Sequence, residues 1–208
     1  MKTNLIKILK IIKLGEKLKS EMRHSWLSNG RQESVAEHTW RVTLMAILLE
    51  PYLEQKVDTS KLLKMITIHD LVEAEAGDIP AFDTMDNPAA KELKALNEIK
   101  SIEKIRDTLG DSLGNDLYDL WFEFENKETY EAKVANALDK LEAQLQHNEA
   151  DLSTWLEIEH DMSFMMGKHV EFDQTLQLVK DLIESEAEIK LKEAGKDTEL
   201  IKNSVLTK

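Results

Sequence analysis

His69 and Asp70 stand side by side in the segment from Met65 to Asp78, where the preceding positions are almost all apolar. An unpaired carboxylate buried in such surroundings is costly, so Asp70 must be exposed, paired or bound to a metal. Glu73 follows His69 by four residues and Asp70 by three, which brings three ionisable side chains toward one edge of a helix. His38 and Asp139 are also candidates for ligand or acid–base chemistry. His38 falls in the first turn of a helix, and Asp139 lies among Ala135, Leu138 and Leu141, with Lys140 and Glu142 expected to serve the solvent face. Taken singly, each has an ordinary explanation: a histidine that hydrogen-bonds a neighbouring loop, or an aspartate that pairs with an arginine.

Composition narrows the chemistry. The chain has 208 residues and no cysteine, which removes thiolate zinc sites, thiol nucleophiles and redox switching, and leaves His and carboxylates to hold any metal. The formal net charge of -13 opposes a nucleic-acid polymer, while a small anionic substrate would need local help from a metal or a few placed Arg and Lys residues. The N-terminal apolar pieces are broken by Lys7, Lys10 and Lys13, unlike a signal peptide, and no apolar run approaches the roughly 20 residues of a membrane span. A cytoplasmic protein without membrane contact is the expectation.

The elements that must position these residues read as helices. Pro51, Pro80 and Pro88 are the only prolines, and apolar residues recur at spacings of three and four, whereas strand alternation and hairpin turn pairs are hard to find. Ser34-Val35-Ala36-Glu37 is a capping box that opens the helix carrying His38. Asp58 or Thr59 caps a second helix, which carries His69 and Asp70 and stops at Gly77. Asn87-Pro88 starts a third, charged helix that ends at Gly110. Further helices are expected near 117–124, 129–147, 153–166 and 172–194, with a polar, frayed tail after Gly195. One domain over 1–185 (core about 14–185) and a C-terminal piece over 186–208 follow from this pattern.

The order His38, His69-Asp70, Asp139 resembles the H…HD…D signature of the HD-domain metal-dependent phosphohydrolases. Four blocks in order strengthen that resemblance: Glu33 to His38, His69 to Ala74, Gly77-Asp78-Ile79-Pro80, and Ala137 to Glu142. They resemble the branch of small 5'-deoxynucleotidases over about residues 14 to 185.

The resemblance implies an all-α HD-domain helical bundle with one mononuclear metal site at its centre. It makes His38, His69, Asp70 and Asp139 the ligands of a divalent ion, a mixed N/O set suited to Mn, Co, Fe, Ni, Zn or Mg. One ion is expected because dinuclear relatives use extra histidines between the HD pair and the last aspartate, and none occurs here. His147, His160 and His169 are expected to have surface or packing roles.

The implied reaction is release of phosphate from a (deoxy)nucleoside 5'-monophosphate by metal-activated water, with Glu73 or Asp78 moving or orienting the proton. By the same resemblance Arg23 contacts the 5'-phosphate, with Arg31 and Arg41 as alternatives, and Trp26 walls off a ribose 2'-hydroxyl. Two residues separate Arg23 from Trp26, where the bacterial type enzyme has the pair adjacent. A homodimer is also implied. Rival readings are hydrolysis of another phosphorylated metabolite or nucleotide, and a catalytically silent nucleotide-binding protein of the same fold.

Overall fold

The structure, a computed structural model, describes residues 1–206. In chain order its elements are α1 (Lys2–Gly15), β1 (Met22–Trp26), β2 (Gln32–Ser34), α2 (Val35–Leu49), α3 (Thr59–Ile68), α4 (Glu73–Ala76) and α5 (Ala81–Met85). They continue with α6 (Pro88–Leu109), α7 (Asp111–Asn126), α8 (Tyr130–Glu149), α9 (Glu157–Met162), α10 (Gly167–Val170), α11 (Gln174–Glu193) and α12 (Thr198–Leu206). The all-α expectation holds, with one short hairpin added.

Helix α8 is the axis of the bundle. Eleven of its 20 residues are buried, more than a surface helix with one apolar stripe would bury, and α2, α3, α7, α10 and α11 all pack against it. Val42, Leu62, Met65, Leu138, Leu141 and Leu176 form the main core around it. A second core joins α1, α6 and α7 through Ile102, Ile105, Leu109 and Trp121. Among the described residues, no helix is long and apolar enough to cross a membrane.

Local signals explain most boundaries. Ser34 and Glu37 form the reciprocal capping box of α2, with the Ser34 side chain accepting from the Glu37 backbone N–H. Asp58 caps α3, Asn87 caps α6 with Pro88 at its first position, and Thr129 caps α8.

Four expectations are corrected. The hairpin β1–β2 is antiparallel, with Trp26 opposite Gln32, and it turns at Asn29-Gly30, where Gly30 has φ 82° and Asn29 Oδ1 accepts from the Arg31 N–H. That Asn-Gly pair is a recognisable turn signal, masked because the flanking strands are short and irregular.

The helix expected from Asp58 to Gly77 breaks at His69. Trp121 Nε1 donates to the His69 carbonyl, and the Glu73 N–H bonds the Asp70 carbonyl at 3.0 Å instead, so the chain passes through tight turns before α4.

The helix expected over 153–166 is interrupted as well. Trp155 and Leu156 are extended, the Trp155 indole donates to the His147 carbonyl, and Glu159 turns back to accept from the Leu156 N–H. In place of a frayed tail, α12 sets Ile201 against a small core of Trp155, Ala187 and Leu191. Residues 207 and 208 of the 186–208 piece lie outside the described residues.

Candidate metal centre

The capping box of α2 aims His38 inward, where it has no exposed surface. Glu142, expected on the solvent face, is fully buried and contacts His38 Nδ1 closely. Arg41 Nε donates to Glu142 Oε1 at 2.7 Å and Arg23 Nη1 reaches Oε2 at 3.4 Å. These cations and the imidazole outweigh burial and hold the Glu142 carboxyl at about 2, so it stays an acceptor. The Nδ1–H of His38 therefore donates to Glu142, and Nε2 faces Asp139. Burial and Arg23 oppose a charged His38, but Glu142 and Asp139 prevail and raise it to about 9. A divalent cation at Nε2 would take the place of that proton.

His69 is oriented by its own turn. Its Nδ1 donates to the Ile66 carbonyl at 2.7 Å, which leaves Nε2 facing the carboxylates. His69 Nε2 lies 3.1 Å from Asp70 Oδ2 and 4.0 Å from Asp139 Oδ1, while His38 Nε2 lies 3.8 Å and 3.0 Å from the same two atoms. Despite these approaches, His69 Nε2 is buried without a hydrogen-bond partner among the described residues. An imidazole nitrogen beside two carboxylate oxygens, close to both and bonded to neither, fits a cation shared among the four residues. The structure thus brings together all four residues expected to be ligands.

A second group, Glu33, His38 and Glu142, also has metal-ligand spacing. Its donors are already committed, since Arg23 holds Glu33 at 2.9 Å and both Arg41 and His38 Nδ1 hold Glu142. That group orients His38 and is a poorer fit for an ion.

Three of the four expected ligands, His69, Asp70 and Asp139, line a cavity of about 460 Å³, within the usual size range of small-molecule sites. Glu73 lines it and is buried, with Oε2 lacking a hydrogen-bond partner; burial first, then the charges of Asp70 and Asp78, push its carboxyl well above the ordinary range. Asp78 lines the same cavity just past Gly77, whose φ of 79° turns the chain there, and its carboxyl is raised chiefly by burial. Arg23 reaches the wall from β1. Arg31 instead pairs with Glu37 on the exposed side of the hairpin, and Arg41 is spent on Glu142, Gln146 and Glu149.

Trp26 does not line the cavity. It packs edge-on against His24 at 4.7 Å, and His24 in turn meets Phe82 at 5.0 Å; both of those partners do line it.

Sequence reasoning missed several wall residues. His147 and His169, assigned to surface or packing, face the cavity, whereas His160 does pack, against Trp155. His24 and His147 each place Nε2 3.5 Å from Glu159 Oε1. A readable signal existed: Asp139, Ala143 and His147 recur every four residues on α8, as do Asn136, Lys140 and Gln144.

Comparison with known proteins places this arrangement. The model of the HD domain family matches residues 15–180. The 5'-deoxynucleotidase HDDC2 of Xenopus laevis is 34% identical over 141 residues, 67% of each chain. The protein of the same name from Dictyostelium discoideum is 33% identical over 145 residues, 66% of this chain and 74% of that one. Among solved structures, the predicted metal-dependent phosphohydrolase of Magnetospirillum magnetotacticum superposes with a TM-score of 0.78 at 27% identity, covering 90% of this chain and 97% of the other. The chain belongs to the HD-domain family and is a phosphohydrolase of that family, similar to the 5'-deoxynucleotidases.

Proposed function

We propose that this enzyme is a 5'-nucleotidase that releases phosphate from (deoxy)nucleoside 5'-monophosphates with one divalent metal ion held by His38, His69, Asp70 and Asp139. The reading rests on one observation: the unpartnered His69 Nε2, set among two carboxylates and a second imidazole, at a cavity of nucleotide size. The donor set suits Mn, Co, Fe, Ni, Zn or Mg. When bound, such an ion supplies Lewis-acid charge that makes water a better nucleophile and offsets charge on the phosphoryl group.

The chain's own groups do the rest. Arg23 and Lys140, both on the cavity wall, bind phosphoryl oxygens. Glu73, with its free oxygen, takes a proton from the attacking water as the new P–O bond forms, and Asp78 orients that exchange. The bond from phosphorus to the nucleoside 5'-oxygen breaks, and the leaving oxygen takes up the proton that Glu73 received. The nucleoside lies toward His24 and Phe82, and Trp26 acts on sugar selectivity through the His24 ring that it supports. We read the protein as cytoplasmic, in keeping with its lack of cysteine, and as a homodimer, for which the exposed Trp40, Leu44 and Leu48 on one face of α2 offer an apolar surface.

Phosphate release from deoxy- and ribonucleoside 5'-monophosphates with Mn, Co, Mg and Zn tests the assignment. Turnover with deoxynucleotides is expected. No turnover with any substrate by metal-loaded protein would overturn it.

A further inference from the structure

The wall that α8 gives to the cavity has two unlike ends. Toward the C-terminus of α8 it carries His147, which with His24 surrounds Glu159. Toward its N-terminus it carries Asn136 and then Lys133, where a second recess of about 220 Å³ adjoins the first. The two cavities share Lys127, Asn136, Lys168 and His169, and Lys133 and Glu171 complete the charged lining of the smaller one.

Three ammonium groups against one carboxylate reverse the local field in a chain with 40 acidic and 27 basic residues. None of Lys127, Lys133 and Lys168 makes an ion pair among the described residues. Lys127 sits in the left-handed region at φ 55° and ψ 32°, where the end of α7 would more readily take Gly or Asn. His169 donates from Nδ1 to the side-chain oxygen Oδ1 of Asn136 at 3.2 Å; burial and the charges of Lys140, Lys168 and Lys127 keep its ring neutral, with Asp139 opposing them. The recess is therefore an ammonium-rimmed pocket in which His169 holds the buried Asn136 amide by its oxygen and leaves the amide N–H groups as donors; ammonium and amide donors are the chemistry of an oxyanion site.

Position along α8 sets the reach. At about 1.5 Å per residue, Asn136 precedes Asp139 by about 4.5 Å and Lys133 precedes it by about 9 Å along the axis. One molecule can span both points.

We infer that the recess of Lys127, Lys133 and Lys168 is a second anion subsite, which holds a further phosphate of a nucleotide whose 5'-phosphate lies at the metal centre. The preferred substrate class is then a nucleoside 3',5'-bisphosphate, of which only the 5'-phosphate is released. This rests on the nucleotidase reading above.

The test compares deoxyadenosine 5'-monophosphate with deoxyadenosine 3',5'-bisphosphate, using the full chain loaded with Mn. The bisphosphate should show a kcat/KM at least about 10-fold higher, through KM, because charge-assisted hydrogen bonds are made to the second phosphate. The Lys133→Gln/Lys168→Gln variant should bring that ratio to about 1, while Lys2→Gln/Lys100→Gln, outside both cavities, should leave it intact. Equal kcat/KM values in the wild type, a ratio that survives the first exchange, or one that collapses equally in the second overturns the subsite.

Calorimetric binding of the two nucleotides separates this idea from the reaction. A 10-fold tighter bisphosphate that is lost in the first variant sustains the subsite even if neither compound is hydrolysed, an outcome that would sink the nucleotidase reading alone. Equal binding sinks the subsite whatever the turnover.

Discussion

Asp173 and Asp139 are both enclosed carboxylates, and the fold treats them in opposite ways. Asp173, with no exposed surface, accepts from the Tyr130 hydroxyl at 2.5 Å, the Glu54 N–H at 2.8 Å and the Leu176 N–H at 3.0 Å. Its partners are neutral, and together they tie the chain before α3, the start of α8 and the cap of α11 into one clamp. Burial raises the Tyr130 hydroxyl to about 12, with the Asp173 bond adding to the shift.

Asp139 instead meets charge, with Lys140 Nζ at 2.9 Å and His38 Nε2 at 3.0 Å, and at the same cavity His69 Nε2 and Glu73 Oε2 have no hydrogen-bond partner among the described residues. A carboxylate that serves stability has its lone pairs filled by the protein. One that serves chemistry leaves neighbouring polar atoms to be filled by something else.

Exchanging the two should break the comparison most sharply. Asp139→Ala is expected to lower kcat/KM roughly 1000-fold or more and to abolish stoichiometric metal, read by phosphate release and elemental analysis, while the protein still folds. Asp173→Ala should do the reverse, costing about 3 kcal/mol in urea denaturation and leaving activity per folded molecule unchanged. Activity that survives the first change, or vanishes from fully folded protein with the second, contradicts this division of roles.

A finer test concerns the support for His38. Glu142→Gln keeps the shape but weakens the hold on Nδ1, and metal affinity should fall about 10- to 100-fold in a chelator competition. Unchanged affinity would mean that the buried Glu142 is only a partner of Arg41.

The smallest effect belongs to the surface pair Arg31–Glu37. Its hydrogen bond to Arg31 lowers Glu37 from the ordinary 4.5 to about 2. Because the folded value is the lower one, its stabilisation is present above pH 4.5 and is lost as pH falls through about 2. Arg31→Ala should therefore narrow the gap in Tm between pH 5 and pH 2 slightly, with no change in activity at neutral pH.

The candidate ligands were legible through their ordered resemblance to the H…HD…D signature, since singly each has an ordinary explanation; local rules add the placement of His38 and of the HD pair. A capping box places His38 one turn into α2, and the HD pair stands out as polar residues after an apolar run. The turn at His69 was not legible, since what breaks the helix is the indole of Trp121, 52 residues away. Glu142 was misplaced for a related reason. Helical period alone cannot tell a solvent face from a second buried face on a helix enclosed by five others, and α8 is such a helix. Trp26 and His24 exchange prominence although, two residues apart, they share one side of β1 and touch; strand period cannot tell which of two such rings reaches the cavity, and the register irregularity between Met22 and Trp26 is set by the packing of the hairpin.

The amino-acid sequence by itself determined the helical class, the principal caps and the set of ionisable residues available to hold an ion, because propensity, capping and spacing act within a few residues. The tertiary structure alone decided that His38 gives Nδ1 to Glu142 and keeps Nε2 for Asp139, that Glu142 is spent on Arg23 and Arg41, and which residues wall the cavity. Those outcomes depend on partners brought together from more than 50 positions apart, and only packing around α8 sets their distances.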